Sequence, residues 1–367
     1  MADQKLTALS ENTSPVASDI TYLVDDPGGT PASNKITLAN ILSLQPQTNL
    51  LINGNFDVWE RGTTFTTPND DTYTADRWNN VQETNADWTF ARDTDAPDGS
   101  FYSIKLTCVT ANAGVGIVTF LENKDTIPLD DKTVSMSFWA KTNSTEIANL
   151  RAGIITWGST ADSLTSDVVG TWHSSAGTNP TLATNWTYEN TPANFSLTSS
   201  WQQFKVENVA IDTATVNNLG VFIWVDDVDA SANDDVYIAQ VQLNLGTEAG
   251  AFQPRPYAQE LALCQRYYAN VVDNVNMLGY SAVFVGTNES YSVIKVPTPL
   301  RTAPTATISG IVTRYGGSDF GWTSISVVSP SITAGHVHLT ATTTGTTNGN
   351  AGITYALPGT IKFDAEL

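Results

Sequence analysis

The sequence predicts a mainly β chain: a jelly-roll-like β-sandwich, then a short helix, then a smaller C-terminal β domain. Three observations predict it. Apolar and polar residues alternate with period two through many segments of strand length. Clusters of Asn, Asp, Gly and Pro, which stop strands and supply turns, join those segments. Only residues 259–268, QELALCQRYY, combine good helix formers with apolar residues at helical spacing, Leu261, Cys264 and Tyr268.

Taken in order, residues 1–46 form the first unit. ENTSPVASD is rich in loop formers, ITYLV at 20–24 is a short strand, DDPGGTPASN is a turn region, and KITLANIL at 35–42 returns to apolar character. Below about 40 residues a chain seldom holds a core of its own, so this unit leans on something else. Residues 47–257 are the main domain, with strands expected at 103–109, 134–140, 203–206, 219–225 and 236–243. About 200 residues of this kind make a sandwich, and a jelly roll suits the strand count. Pro254-Arg255-Pro256 then forces extended backbone before the helix. Residues 258–367 hold that helix and strand candidates at 283–285, 292–296, 305–308, 325–328 and 336–340, with a polar Thr/Gly/Asn loop at 340–350. Large apolar residues are few late in this unit, so its core is thin unless other copies complete it.

Composition excludes several functions. Charged residues are 15% of the 367, below the usual quarter or so, and the formal net charge is −20. Such a surface repels phosphate backbones, so no nucleic-acid partner is expected. No stretch approaches the roughly 20 apolar residues of a membrane span, and MADQKLTALSENTSP lacks the basic and apolar regions of a signal peptide. The expectation is a protein made in a cytoplasm, without membrane insertion, and released by a route such as lysis. Cys108 and Cys264 lie in apolar strand-like and helical contexts and read as two buried thiols.

Three histidines and the absence of GxSxG, P-loop, HExxH and CxxC patterns leave out the familiar nucleophile, phosphate and zinc machinery. No enzyme activity and no required cofactor are expected. The acid pairs Asp70-Asp71, Asp130-Asp131, Asp226-Asp227 and Asp234-Asp235 sit beside turn residues, where solvated turns are their ordinary role and a structural Ca²⁺ site is the alternative. Among ten tryptophans, Trp59, Trp78, Trp139 and Trp224 fit the core. Trp157, Trp172, Trp186 and Trp322 lie in ITWGST, GTWHSSAG, ATNWTYEN and DFGWTS, polar surroundings in which a ring either packs under its loop or stacks on a sugar. His336-Val337-His338 puts two imidazoles on one face of a strand.

Several stretches carry a resemblance. GAFQPRPY at 250–257 with ELALCQRYY at 260–268 resembles the segment that, in many bacteriophage tail fibre and virion structural proteins, separates a sandwich from a C-terminal tip domain. LTALSENTSPVASDITYLVDD with SNKITLANIL resembles the N-terminal virion-attachment segment of phage tail fibres. LRTAP at 300–304 and IKFDAEL at 361–367 resemble the tip domain of the same family, while LINGNFDVW, TADRW and VYIAQVQLNLG resemble carbohydrate-binding-module jelly rolls. The resemblance implies a virion tail protein, attached to other tail proteins through residues 1–46 and touching a host-surface glycan with its distal parts. It also implies a parallel homotrimer, whose axis would gather six imidazoles from His336 and His338 around an octahedral transition metal. A non-catalytic bacterial carbohydrate-binding protein is the alternative; a tailspike would need a repetitive β-helix, and no such repeat is present.

Overall fold

A computed structural model describes residues 20–25, 32–37 and 48–367, apart from 166, 174–176, 226–229, 274–279, 287, 332–335 and 344–347. The chain is mainly β, as its alternation predicts. Strands β1 (Ile20–Asp25) and β2 (Ala32–Thr37) pair antiparallel as a hairpin. The rest of residues 1–46, and with it most of the attachment segment, lies outside the described residues.

The sandwich follows. Its strands are β3 (Thr64–Phe65), β4 (Asn79–Gln82), β5 (Trp88–Asp93), β6 (Ser103–Cys108), β7 (Val115–Phe120), β8 (Thr133–Thr142) and β9 (Asn149–Trp157). There follow β10 (Val169–Thr171), β11 (Thr181–Leu182), β12 (Trp186–Tyr188), β13 (Phe195–Ser196), β14 (Gln202–Ala210), β15 (Asn218–Val225) and β16 (Asp235–Leu245). Between β7 and β8 lies a single helical turn, α1 (Asn123–Thr126). One sheet has the order β12-β9-β15-β7-β4, with β13 also on β9, and the other β14-β8-β16-β6-β5-β3.

Alternation decides what each sheet buries. Val115 and Ile117 of β7, Ala152 and Ile154 of β9, and Val221 and Ile223 of β15 meet Met136, Phe138 and Ala140 of β8, Ile104 and Leu106 of β6, and Val236 and Ile238 of β16 in one core between the sheets. The residues out of phase with these differ between the two sheets. On the first sheet Val118, Phe120, Ile155, Trp157, Phe222 and Trp224 form a second apolar cluster with Val168, Val169 and Trp186. The excursion through β10–β12 thus covers that sheet's outer face, which is why β15 is buried on both sides. Among the described residues the second sheet's outer face carries no such apolar cluster: the chain leaving β16 lies over part of it, and the edge strand β14 keeps Gln203, Lys205 and Glu207 exposed.

Helix α2 (Tyr257–Gln265) is shorter than the 259–268 expected and starts earlier, at the first residue after Pro256. Its buried residues are Glu260 and Cys264, and Leu261 is only half-buried. The stripe faces the sandwich and is partly polar: Glu260 accepts from the backbone N–H of Asn53 and from Arg255. Tyr268 belongs to a strand instead. Strands β17 (Tyr268–Asp273), β18 (Tyr280–Phe284), β19 (Glu289–Lys295), β20 (Thr305–Tyr315), β21 (Ser318–Gly321), β22 (Ser324–Ser331), β23 (His336–Thr342) and β24 (Ala351–Asp364) make one sheet, ordered β21-β20-β24-β18-β19-β23-β22 with β17 also on β24. Its core is small and includes Ile294, Ile311, Trp322, Leu339, Ile361 and Phe363. Both cysteines are free and buried. Among the described residues no helix is long and apolar enough to cross a membrane.

Candidate functional site on the open face of the sandwich

On β8 the in-phase residues Val134, Met136, Phe138 and Ala140 are buried, so Ser135, Ser137, Trp139 and Lys141 point to the other face. Trp139 is therefore a half-buried ring on the outer face and not the core residue its apolar neighbours suggest. It lies opposite Gln203 of β14 on one side and Ala239 of β16 on the other. Alanine leaves room beside the indole. Immediately after it the β16–β8 register slips between Ala239 and Gln242, a bulge in which Gln240 takes a φ of 49°. A left-handed conformation at a non-glycine residue costs energy and is held by its surroundings. Here the Gln240 side chain donates to the Asp98 carbonyl and the Ser100 hydroxyl, both at 2.9 Å.

The chain leaving β16 completes the site. Gln242 donates to the carbonyls of Gly250 and Ala251 and accepts from Gln253 N–H, and Lys205 donates to the Ala249 carbonyl. These bonds hold the segment carrying Phe252 and Pro254 across the sheet. Trp139, Phe252, Pro254, Gln203, Gln240 and the Asp98–Gly99 turn enclose an open trough of about 320 Å³. Two residues along β8, Lys141 pairs in register with Tyr237 and lies 4.8 Å from that ring and 5.6 Å from Trp201. Lys141 and the Trp201 indole both bond Asp95; burial raises this carboxyl, but those two bonds outweigh it and hold it below its ordinary value. An aromatic floor rimmed by amides suits a ligand with an apolar face and a hydroxylated edge.

The four tryptophans singled out from the sequence lie elsewhere. Trp157 and Trp186 are cross-strand partners with ring centroids 5.1 Å apart, 3% and 6% exposed within the covered-face cluster. Trp322, 7% exposed, donates its indole N–H to Thr313 in the C-terminal core. Trp172 is half-buried: it packs on Phe222 and fits only because position 114 is glycine, where a Cβ would come within 2.5 Å of the ring. The three buried rings offer no face to a ligand, and Trp172 is not part of the trough. Trp139 was legible nonetheless: the period of VSMSFWAK puts it in phase with two serines and a lysine.

His336 and His338 lie on β23 opposite Lys295 and Val293, and their side chains fall outside the described residues. Asp226 and Asp227 are outside as well. Asp70 and Asp71 do occupy a turn, with Asp71 at φ 60°, and their carboxylates come within 4.8 Å of each other and of Asp167. Burial, opposed by two backbone N–H bonds and reinforced by Asp167, raises the Asp70 carboxyl. Asp235 is no solvated turn: it is buried in β16, accepting from Thr107 and Asn143 and paired with Lys105 at 2.9 Å.

No family model matches the chain, and no curated protein does. Among solved structures, the enzymatically active domain of tailspike protein 4 of bacteriophage CBA120 aligns at 12% identity and TM-score 0.32, covering 54% of this chain and 21% of that one. A xylan-binding CBM22 domain of Paenibacillus barcinonensis aligns at 12% identity and TM-score 0.31, covering 56% and 99%. A CBM61 domain solved with β-1,4-galactotriose aligns at 11% identity and TM-score 0.30, covering 55% and 99%. At these scores nothing about ligand or activity passes to this chain.

Proposed function

We propose that this chain is a bacteriophage tail fibre or tail-associated structural protein, without catalytic activity, whose sandwich takes a host-surface carbohydrate on its open face. The trough at Trp139 is the observation that carries the carbohydrate reading. The axial C–H face of a sugar ring is apolar enough to lie on the indole, while the exposed Gln203 and Asp98 stand at the rim to bond its hydroxyls. A protein of net charge −20 gains nothing from general attraction to an acidic envelope, so stacking and hydrogen bonds must supply recognition.

The tail reading is supported by the attachment-like residues 1–46 and by the 250–268 segment, which joins sandwich to C-terminal sheet as in the family it resembles. The proposed assembly is a homotrimer. Val283 and Tyr291 are cross-strand partners, Val293 is two residues on from Tyr291, and Ile353 pairs with Ser281, so all four share the outer face of the C-terminal sheet. Each is more than 40% exposed, an apolar patch that a second copy would cover.

Screening an oligosaccharide library against the full chain, with Trp139→Ala alongside, tests the carbohydrate reading. The parent should bind, and the variant should lose about 1–2 kcal/mol, roughly five- to thirtyfold. Binding that the variant leaves unchanged would move the ligand off this face. Labelling of particle tails by an antibody against this chain checks the tail reading.

A further inference from the structure

The sandwich and the C-terminal sheet meet across a buried cluster of charges. Arg61 donates to Asp364 at 2.7 Å and to Glu366 at 3.2 Å, and Arg77 donates to Glu366 and to the Phe120 carbonyl. Arg61 also lies 3.7 Å above the Tyr268 ring, and Arg77 3.6 Å above that of Tyr267. The hydrogen bonds of both guanidiniums to carboxylates thus go to the end of β24. Asp76, 0% exposed, sits among these groups and receives only the backbone N–H of Glu60 on Oδ2, at 2.6 Å, while its Oδ1 has no partner.

We infer that this junction is a proton-sensitive clamp, closed while Asp76 carries a proton and loosened when that proton leaves. The groups around Asp76 come from every element at the junction. Glu60 and Arg61 precede β3, Tyr73 and Arg77 precede β4, Cys264 lies on α2, Tyr268 on β17, and Asp364 and Glu366 at the end of β24. An ionised Asp76 would add a further carboxylate to a site whose two cations already bond Asp364 and Glu366. Burial above all, with Glu60 and Glu366 adding to it against the pull of Arg61 and the Glu60 N–H, pushes the Asp76 carboxyl up to about 7. When the junction opens to water the group returns to its ordinary value near 3.8. Opening between those limits therefore releases one proton, and the opening constant rises as pH rises toward 7 and is level above it.

Hydrogen exchange on the full chain tests this, read in the segments 257–268 and 359–367, where Ala365 N–H bonds the Tyr267 carbonyl. Protection factors there should lie below those of β15 and fall by about tenfold per pH unit from 5.5 to 7, then level off. Asp76→Asn mimics the protonated form and should flatten the profile. A parent profile flat from pH 5.5 to 7, or a variant that keeps the slope, overturns the inference. Should the variant fail to fold, the parent profile decides by itself.

Discussion

Arg266 grips Glu122 through two parallel hydrogen bonds, Nε to Oε1 at 3.0 Å and Nη2 to Oε2 at 3.1 Å. The neighbouring Tyr267 hydroxyl donates to the same Oε1 at 2.6 Å. Glu122 follows β7 of the sandwich and Arg266 ends α2, so this fork ties the C-terminal unit to the sandwich. Removing the buried carboxylate leaves the half-buried guanidinium and the buried Tyr267 hydroxyl without their acceptor. Glu122→Ala should therefore cost about 2 kcal/mol, read as a lower urea midpoint, and Glu122→Gln, which keeps an acceptor, should cost less.

The same carboxylate sets an acid limit. Burial disfavours its charge, but the bonds from Arg266, Lys124 and Tyr267 together hold the Glu122 carboxyl down to about 2, against 4.5 for an ordinary glutamate. Its folded value lies below its unfolded one, so the stabilisation is fully present above pH 4.5 and lost as pH falls toward 2. Melting temperatures should drop across that window in the parent and drop less in Glu122→Gln.

Trp186, on β12, stacks on Phe120 at 5.2 Å and packs tilted against Trp157 at 5.1 Å on the covered face. Trp186→Ala should destabilise by about 3–5 kcal/mol through the cavity it leaves, while the folded fraction keeps its ligand affinity. A variant of parental stability with lost binding would return the ligand to the covered face.

Much of this was legible in the sequence. Period two found β6, β8, β14, β15 and β16, and the helix-forming run before the final sheet found α2 to within three residues. What escaped depends on contacts remote in sequence. The tryptophans of polar-looking ITWGST and ATNWTYEN are buried because β12 pairs with β9 and the two rings pack together on the covered face, which local composition does not encode. Asp235 has the neighbours of a turn residue but is kept in a strand by Lys105 and Thr107. The trough was half legible: Trp139 follows from its phase on β8, whereas Phe252 reaches it only through the bonds of Gln242 to the departing chain.

The proposed assembly makes a separate prediction. In native mass spectrometry the full chain should run as a trimer, and Val283→Asp with Ile353→Asp, which put charges on the exposed apolar patch, should give monomer. A parent that is monomeric at micromolar concentration rules the trimer out.

The proposed carbohydrate lies on the Trp139 trough and not on the covered face or the C-terminal unit. Fluorine NMR of the full chain labelled with 5-fluorotryptophan tests it most directly, because each of the ten tryptophans gives its own resonance, assignable by single Trp→Phe variants. On titration with an oligosaccharide the chain binds, the Trp139 resonance should move and saturate while Trp157, Trp186 and Trp322 stay in place. Saturable movement of Trp172 or of the three buried rings, with Trp139 unmoved, would place the carbohydrate elsewhere.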